Sequence, residues 1–110
     1  MARISTHVLD IARGQPAPGI PIELYRESKL IHSAVTNTDG RTNEPLLSAG
    51  EIPTGRYELV FHAADYLRAS AGEPLFLDDI TIRFHVADSN GNYHVPLLLA
   101  PHGYSTYRGS

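Results

Sequence analysis

The chain has no cysteine, no tryptophan and a single methionine in 110 residues. Without cysteine there are no disulfides, no thiolate metal sites and no thiol nucleophile, and a reducing cytoplasm is the expected compartment. Long apolar runs are missing too, so no segment is expected to span a bilayer and no membrane partner is expected. The N-terminal Met1–His7 stretch lacks the apolar core of a secretory signal. Charge of one sign is not concentrated anywhere. The formal net charge is −3, with neither a basic stripe for nucleic acid nor a charged tail.

What remains is enough for one packed interior. Hydrophobic residues make up 42% of the chain, and the length suits a single domain over residues 1–110. Alternation of period two dominates and predicts strands buried on one face. Ile80, Ile82, Phe84 and Val86 alternate with Thr81, Arg83 and His85. Tyr57, Leu59 and Phe61 alternate with Arg56, Glu58 and His62, and Ile20, Ile22 and Leu24 with Pro21, Glu23 and Tyr25. Ile31 to Val35 forms a weaker strand, and His7–Ile11 and Tyr93–Leu99 supply two more. Gly14–Gly19 and Asp39-Gly40 read as turns, Asn90-Gly91 as a hairpin, and Asp78-Asp79 as the entry to a strand. Ala63–Ala71 alone has helical composition, and Glu44–Thr54 reads as loop with at most a short edge strand. About seven short strands at regular spacing predict an all-β sandwich of two facing sheets.

Six histidines invite a metal reading that their spacing does not support, since no H-x-H or close i, i+4 pair occurs. His32, His62 and His85 alternate onto polar faces and read as solvated. His7 and His94 lie on strands that are apolar on both sides, His7 with Leu9 and Ile11, His94 with Pro96 and Leu98. Such strands need cover on the second face from a partner subunit, so these two imidazoles either form a partly desolvated polar site inside an interface or are interface histidines each satisfied by one hydrogen bond. Arg41 is either a surface charge or a planar fork for a carbonyl-rich ligand. No G-x-S-x-G elbow or phosphate loop is present.

Three motifs carry a resemblance. Tyr93-His94-Val95-Pro96-Leu97-Leu98-Leu99-Ala100-Pro101 through the closing Tyr107-Arg108-Gly109-Ser110 is similar to the C-terminal signature of the 5-hydroxyisourate hydrolases, the transthyretin-like enzymes of urate breakdown. Thr6-His7-Val8-Leu9-Asp10 with Arg13-Gly14 and Pro18-Gly19 resembles that family's first motif, and Thr38-Asp39-Gly40-Arg41 its arginine segment.

The resemblance implies a transthyretin-like sandwich of about eight strands with one short helix after the fifth. It implies a homotetramer with active sites where two dimers meet. His7, Arg41 and His94 are the implied catalytic group, and Tyr107, Arg108, Gly109 and Ser110 the implied substrate-binding tail. His102 departs from the family's usual residue and takes no role. The implied reaction, with no cofactor or metal, is hydrolytic opening of the six-membered ring of 5-hydroxyisourate to 2-oxo-4-hydroxy-4-carboxy-5-ureidoimidazoline. Imidazoles suit proton transfer near neutral pH, and a guanidinium suits an oxyanion. The rival on the same fold is a carrier of apolar ligands, for which two imidazoles and a guanidinium aimed into the channel are ill suited.

Overall fold

Two sheets face each other across an aliphatic core in the computed structural model, which describes residues 1–109. The elements run β1 (Ala2–Asp10), β2 (Gln15–Pro16), β3 (Pro21–Arg26), β4 (Lys29–Val35), β5 (Leu47–Ala49), β6 (Gly55–Phe61), α1 (Ala64–Ala71), β7 (Ile80–Val86), β8 (Asn92–Ala100) and β9 (Gly103–Thr106). With the two-residue β2 set aside there are eight strands among the described residues, and the helix follows the fifth, the arrangement the resemblance implies.

One sheet has the order β2-β1-β8-β9, with β5 also paired to β1, and the other β4-β3-β6-β7. The pairing of β1 with β8 is parallel, so the chain's first and last long strands lie side by side. Their inward residues are buried: Ala2, Ile4 and Val8 on β1, and Tyr93, Val95, Leu97 and Leu99 on β8. Opposite them stand Ile22 and Leu24, Tyr57, Leu59 and Phe61, and Ile80, Ile82 and Val86, the rows that alternation separates in the sequence. Leu67 anchors the helix to this core. Asp10 is also buried, at 4% exposure, where Tyr66 donates to its Oδ2 at 2.6 Å and the Arg13 amide to its Oδ1 at 3.0 Å.

The structure corrects four readings. Asn90-Gly91 is not a hairpin, because β7 pairs with β6 while β8 pairs with β1 and β9 in the other sheet. The turn is real, with the Gly91 amide on the Asp88 carbonyl, but the Tyr93 hydroxyl accepts the Ala87 and Asp88 amides and the link crosses between sheets. On β4, His32 and Ala34 stand opposite Leu24 and Ile22, so the outer face carries Ile31 and Val35, which are exposed. β1 begins five residues before His7, and β9 has no clear alternation to announce it. His62 is not simply solvated: its ring nitrogens lie 2.7 Å from Glu23 Oε1 and 2.9 Å from Asp79 Oδ2. Both carboxylates hold its pKa above the usual imidazole value.

Candidate active site

The outward face of the β1–β8 pair gathers the candidate residues. Outward side chains on a strand recur about every 6.6–6.8 Å, so Arg3, Ser5 and His7 form a row on β1. Parallel register sets His94 beside Ser5. The ring is fixed there, with Nδ1 2.9 Å from the Ser5 hydroxyl. Across the ring, the Gly109 amide donates to the His94 carbonyl at 2.8 Å. A Cβ on Gly109 would fall 2.6 Å from His94 Cδ2, so only a glycine lets the tail lie this close.

Arg41 arrives from a loop that Asn37 organises. Its side-chain oxygen accepts the amides of Asp39 and Arg41, its own amide donates to the Arg41 carbonyl, and its carbonyl accepts the Gly40 amide. The Gly40 carbonyl then takes the Val8 amide at 2.7 Å, which ties the loop to β1. The same loop presents the Asp39 carbonyl 2.8 Å from His7 Nε2. A carbonyl only accepts, so His7 donates through Nε2 and keeps Nδ1 for other work.

Between loop and strands lies a cleft of about 450 Å³ whose walls include Arg3, Ser5, Arg41, Asn43, Asn92 and His94. His7 is not in its lining, yet His7 is close enough for its charge to act on His94. Burial pushes the His94 pKa below the ordinary imidazole value, and Arg41, His7 and Arg3 push it the same way. His94 is therefore a neutral imidazole at neutral pH, held among cations. Such a group accepts protons, and a guanidinium beside it can hold a developing oxyanion. Among the described residues no three His, Asp or Glu side chains gather to hold a metal ion.

The tail divides. Gly109 packs on His94, and Ser110 lies outside the described residues. Tyr107 and Arg108 line a separate hollow of about 260 Å³ with Phe84, His85 and Tyr93. Arg108 is held there by its guanidinium, 4.2 Å over the Tyr93 ring, and by a bond to the Asn92 carbonyl at 3.2 Å. Within one chain these two do not reach the cleft. His102 is exposed beyond the far end of β8, near Phe76. Ser5 and Asn37 are the residues that sequence reasoning passes over. Ser5 has one signal, since it shares the outward face of His7 one strand period earlier.

A parallel strand pair carrying a histidine row, closed by an arginine loop, defines a class of transthyretin-like sandwich with a polar cleft. The family model described as "HIUase/Transthyretin family" matches residues 4–109. The chain belongs to that family. It is 53% identical to 5-hydroxyisourate hydrolase 2 of Rhizobium meliloti over 98% of this chain and 96% of that one. Among solved structures, a Klebsiella pneumoniae 5-hydroxyisourate hydrolase superposes with TM-score 0.87 at 38% identity, covering both chains fully. An (S)-allantoin synthase superposes at TM-score 0.90 and 40% identity over 99% of this chain but 44% of its own. Transthyretin from Sparus aurata, at 23% identity and TM-score 0.86, shares the fold.

Proposed function

We propose that the chain is a cofactor-independent 5-hydroxyisourate hydrolase of purine catabolism, yielding 2-oxo-4-hydroxy-4-carboxy-5-ureidoimidazoline. The observation that carries this is a neutral imidazole, His94, beside Arg41 in an open polar cleft, on a chain about half identical to named hydrolases along its length. An apolar-ligand carrier gains nothing from that arrangement, and the relatives of high identity are hydrolases by name.

In this reading His94 takes a proton from water, and the resulting hydroxide adds to a ring carbonyl of the substrate. Arg41 holds the oxyanion through its planar fork. Collapse of the adduct breaks the ring C–N bond, and the proton that His94 took from water passes to the free Nδ1 of His7 and from there to the departing nitrogen. The reaction needs one water and no redox partner. Gly109 keeps the His94 ring in place, and Tyr107 and Arg108 from the tail of a second copy complete the pocket.

We place the working form as a homotetramer in the cytoplasm, with cleft and tail shared at a dimer–dimer interface. Support comes from the outward side of the β1–β8 pair, where half-buried Leu9 and Leu98 are neighbours in the parallel register and exposed Ile11 follows just beyond β1. The decisive test mixes the protein with freshly made 5-hydroxyisourate and follows its ultraviolet decay against the slow spontaneous rate. Acceleration is expected, and an unchanged decay would sink the proposal. Light scattering coupled to size exclusion tests the assembly, and a monomer with full activity would refute the shared site.

A further inference from the structure

The bond between Ser5 and His94 has a role that the hydrolytic cleft does not by itself require. The two residues are 89 apart in sequence and meet only because β1 and β8 run parallel in a register that sets Ser5 against His94. Thr6, the next residue, points inward and donates its hydroxyl to the Val95 carbonyl. Alternation thus gives the two neighbouring hydroxyls separate tasks, one on each face.

Among the described residues the Ser5 hydroxyl is the only hydrogen-bond partner of the His94 ring. The ring is confined on another side by the backbone of Gly109. We propose that Ser5 is a positioning residue, whose hydroxyl accepts the Nδ1 proton of His94 and so leaves the Nε2 lone pair for the cleft. A hydroxyl can donate or accept, so distance alone does not choose the direction. The charges choose it. Arg3 and Arg41 line the same cleft as His94 with Glu44 as its one carboxylate, and a ring dipole facing two guanidiniums against one carboxylate turns its lone pair toward the cleft and its N–H away. Ser5 gives that N–H an acceptor on the strand side.

The catalytic consequence rests on the hydrolase reading, whereas the hydrogen bond itself does not. Two measurements keep them apart. Long-range proton–nitrogen correlation of the imidazole rings, at a pH where His94 is neutral, reports which nitrogen carries the proton. The His94 signals are identified by their loss in His94→Gln. The protein should show the Nδ1–H form, and Ser5→Ala should shift the population toward Nε2–H. In turnover, Ser5→Ala should lower kcat roughly tenfold with little change in KM, about 1.4 kcal/mol, the scale of one orienting hydrogen bond. Ser5→Thr, which restores a hydroxyl, should restore both the tautomer and most of kcat. An unchanged tautomer in Ser5→Ala overturns the proposal, as does a folded Ser5→Thr that stays as slow as Ser5→Ala. If the unaltered protein does not hydrolyse 5-hydroxyisourate, the function fails, and the tautomer measurement still decides the role of Ser5.

Discussion

Gly40 is where the fold and the cleft depend on the same atoms, and replacing it with alanine separates two physical costs. Its φ is +75°, a left-handed conformation that costs an alanine about 1–2 kcal/mol. A Cβ there would lie 2.2 Å from the Val8 carbonyl oxygen, which is backbone and cannot step aside. Relief requires the loop to lift from β1, and the 2.7 Å bond from the Val8 amide to the Gly40 carbonyl is then lost. That bond is worth about 0.5–1.5 kcal/mol. Together the terms give roughly 1.5–3.5 kcal/mol, or a fall in Tm of roughly 6–18 °C for a domain near this size.

Gly14 supplies the control. Its φ is +66°, but a Cβ added there would meet nothing within 4 Å, so Gly14→Ala should show the conformational cost alone. Circular dichroism melts of the two variants, taken at one protein concentration, measure the difference. Activity adds a second axis. Lifting the loop moves the Asp39 carbonyl off His7 and Arg41 out of the cleft, so Gly40→Ala should lose rate even well below its Tm, whereas Gly14→Ala should not. Equal melting temperatures for the two variants, or a Gly40→Ala protein of full activity, would refute the reasoning.

Three further outcomes follow from the same geometry. Replacing His7 or His94 with asparagine should cost about 10²–10⁴-fold in rate with little change in Tm, while exposed His32 and His85 should tolerate the change within a few-fold, as steady-state kinetics would reveal. Because His94 has a lowered pKa, it is protonated more readily unfolded than folded, so its contribution to stability is lost as pH falls below about 6.5. The acid limb of kcat/KM should lie below that value, and Arg3→Gln should move the limb upward, so a limb that stays put would contradict the charge argument. Tyr66, whose pKa is raised to about 12 by burial first and then by its bond to Asp10, should resist ionisation in an ultraviolet alkaline titration, and Tyr66→Phe should lower Tm by stripping a buried carboxylate of a donor.

His62 titrates with the opposite sign. Its folded pKa is raised, so its pairing with Glu23 and Asp79 stabilises fully below the unfolded value near 6.5 and fades as pH rises through the folded one. Alternation puts His62 on a polar face, which is correct, but says nothing of what meets it there. The missing partners are the cross-strand neighbour on β3 and the carboxylate at the entry to β7. Neither separation, 39 residues to Glu23 and 17 to Asp79, leaves a mark on a periodic pattern. The strands β3, β6, β7 and β8 are legible because each buries every second residue, and burial is what period two records. β4 is legible as a strand but not in its facing, because only Ala34 on it is even half-buried. An edge strand with so little inside it carries no dependable phase.

The cleft divides along the same line. Alternation alone sets His7 and His94 apart from His32, His62 and His85, because an imidazole on the second apolar face of a strand is a local fact. That His94 stands beside Ser5 is not local, since it depends on a parallel register between the two ends of the chain. Arg41 is farther still from legibility. It reaches the cleft through a chain of contacts, from the side-chain oxygen and carbonyl of Asn37 to Arg41 and Gly40, and from the Gly40 carbonyl to the Val8 amide, and the last of these joins parts of the chain that no local pattern connects. At Gly40 that chain tolerates no side chain at all. The Asp39-Gly40 pair reads as a tight turn in the sequence for the same reason that it can press against β1, so the one locally readable residue of the loop is also the one that fixes Arg41 to the histidine row.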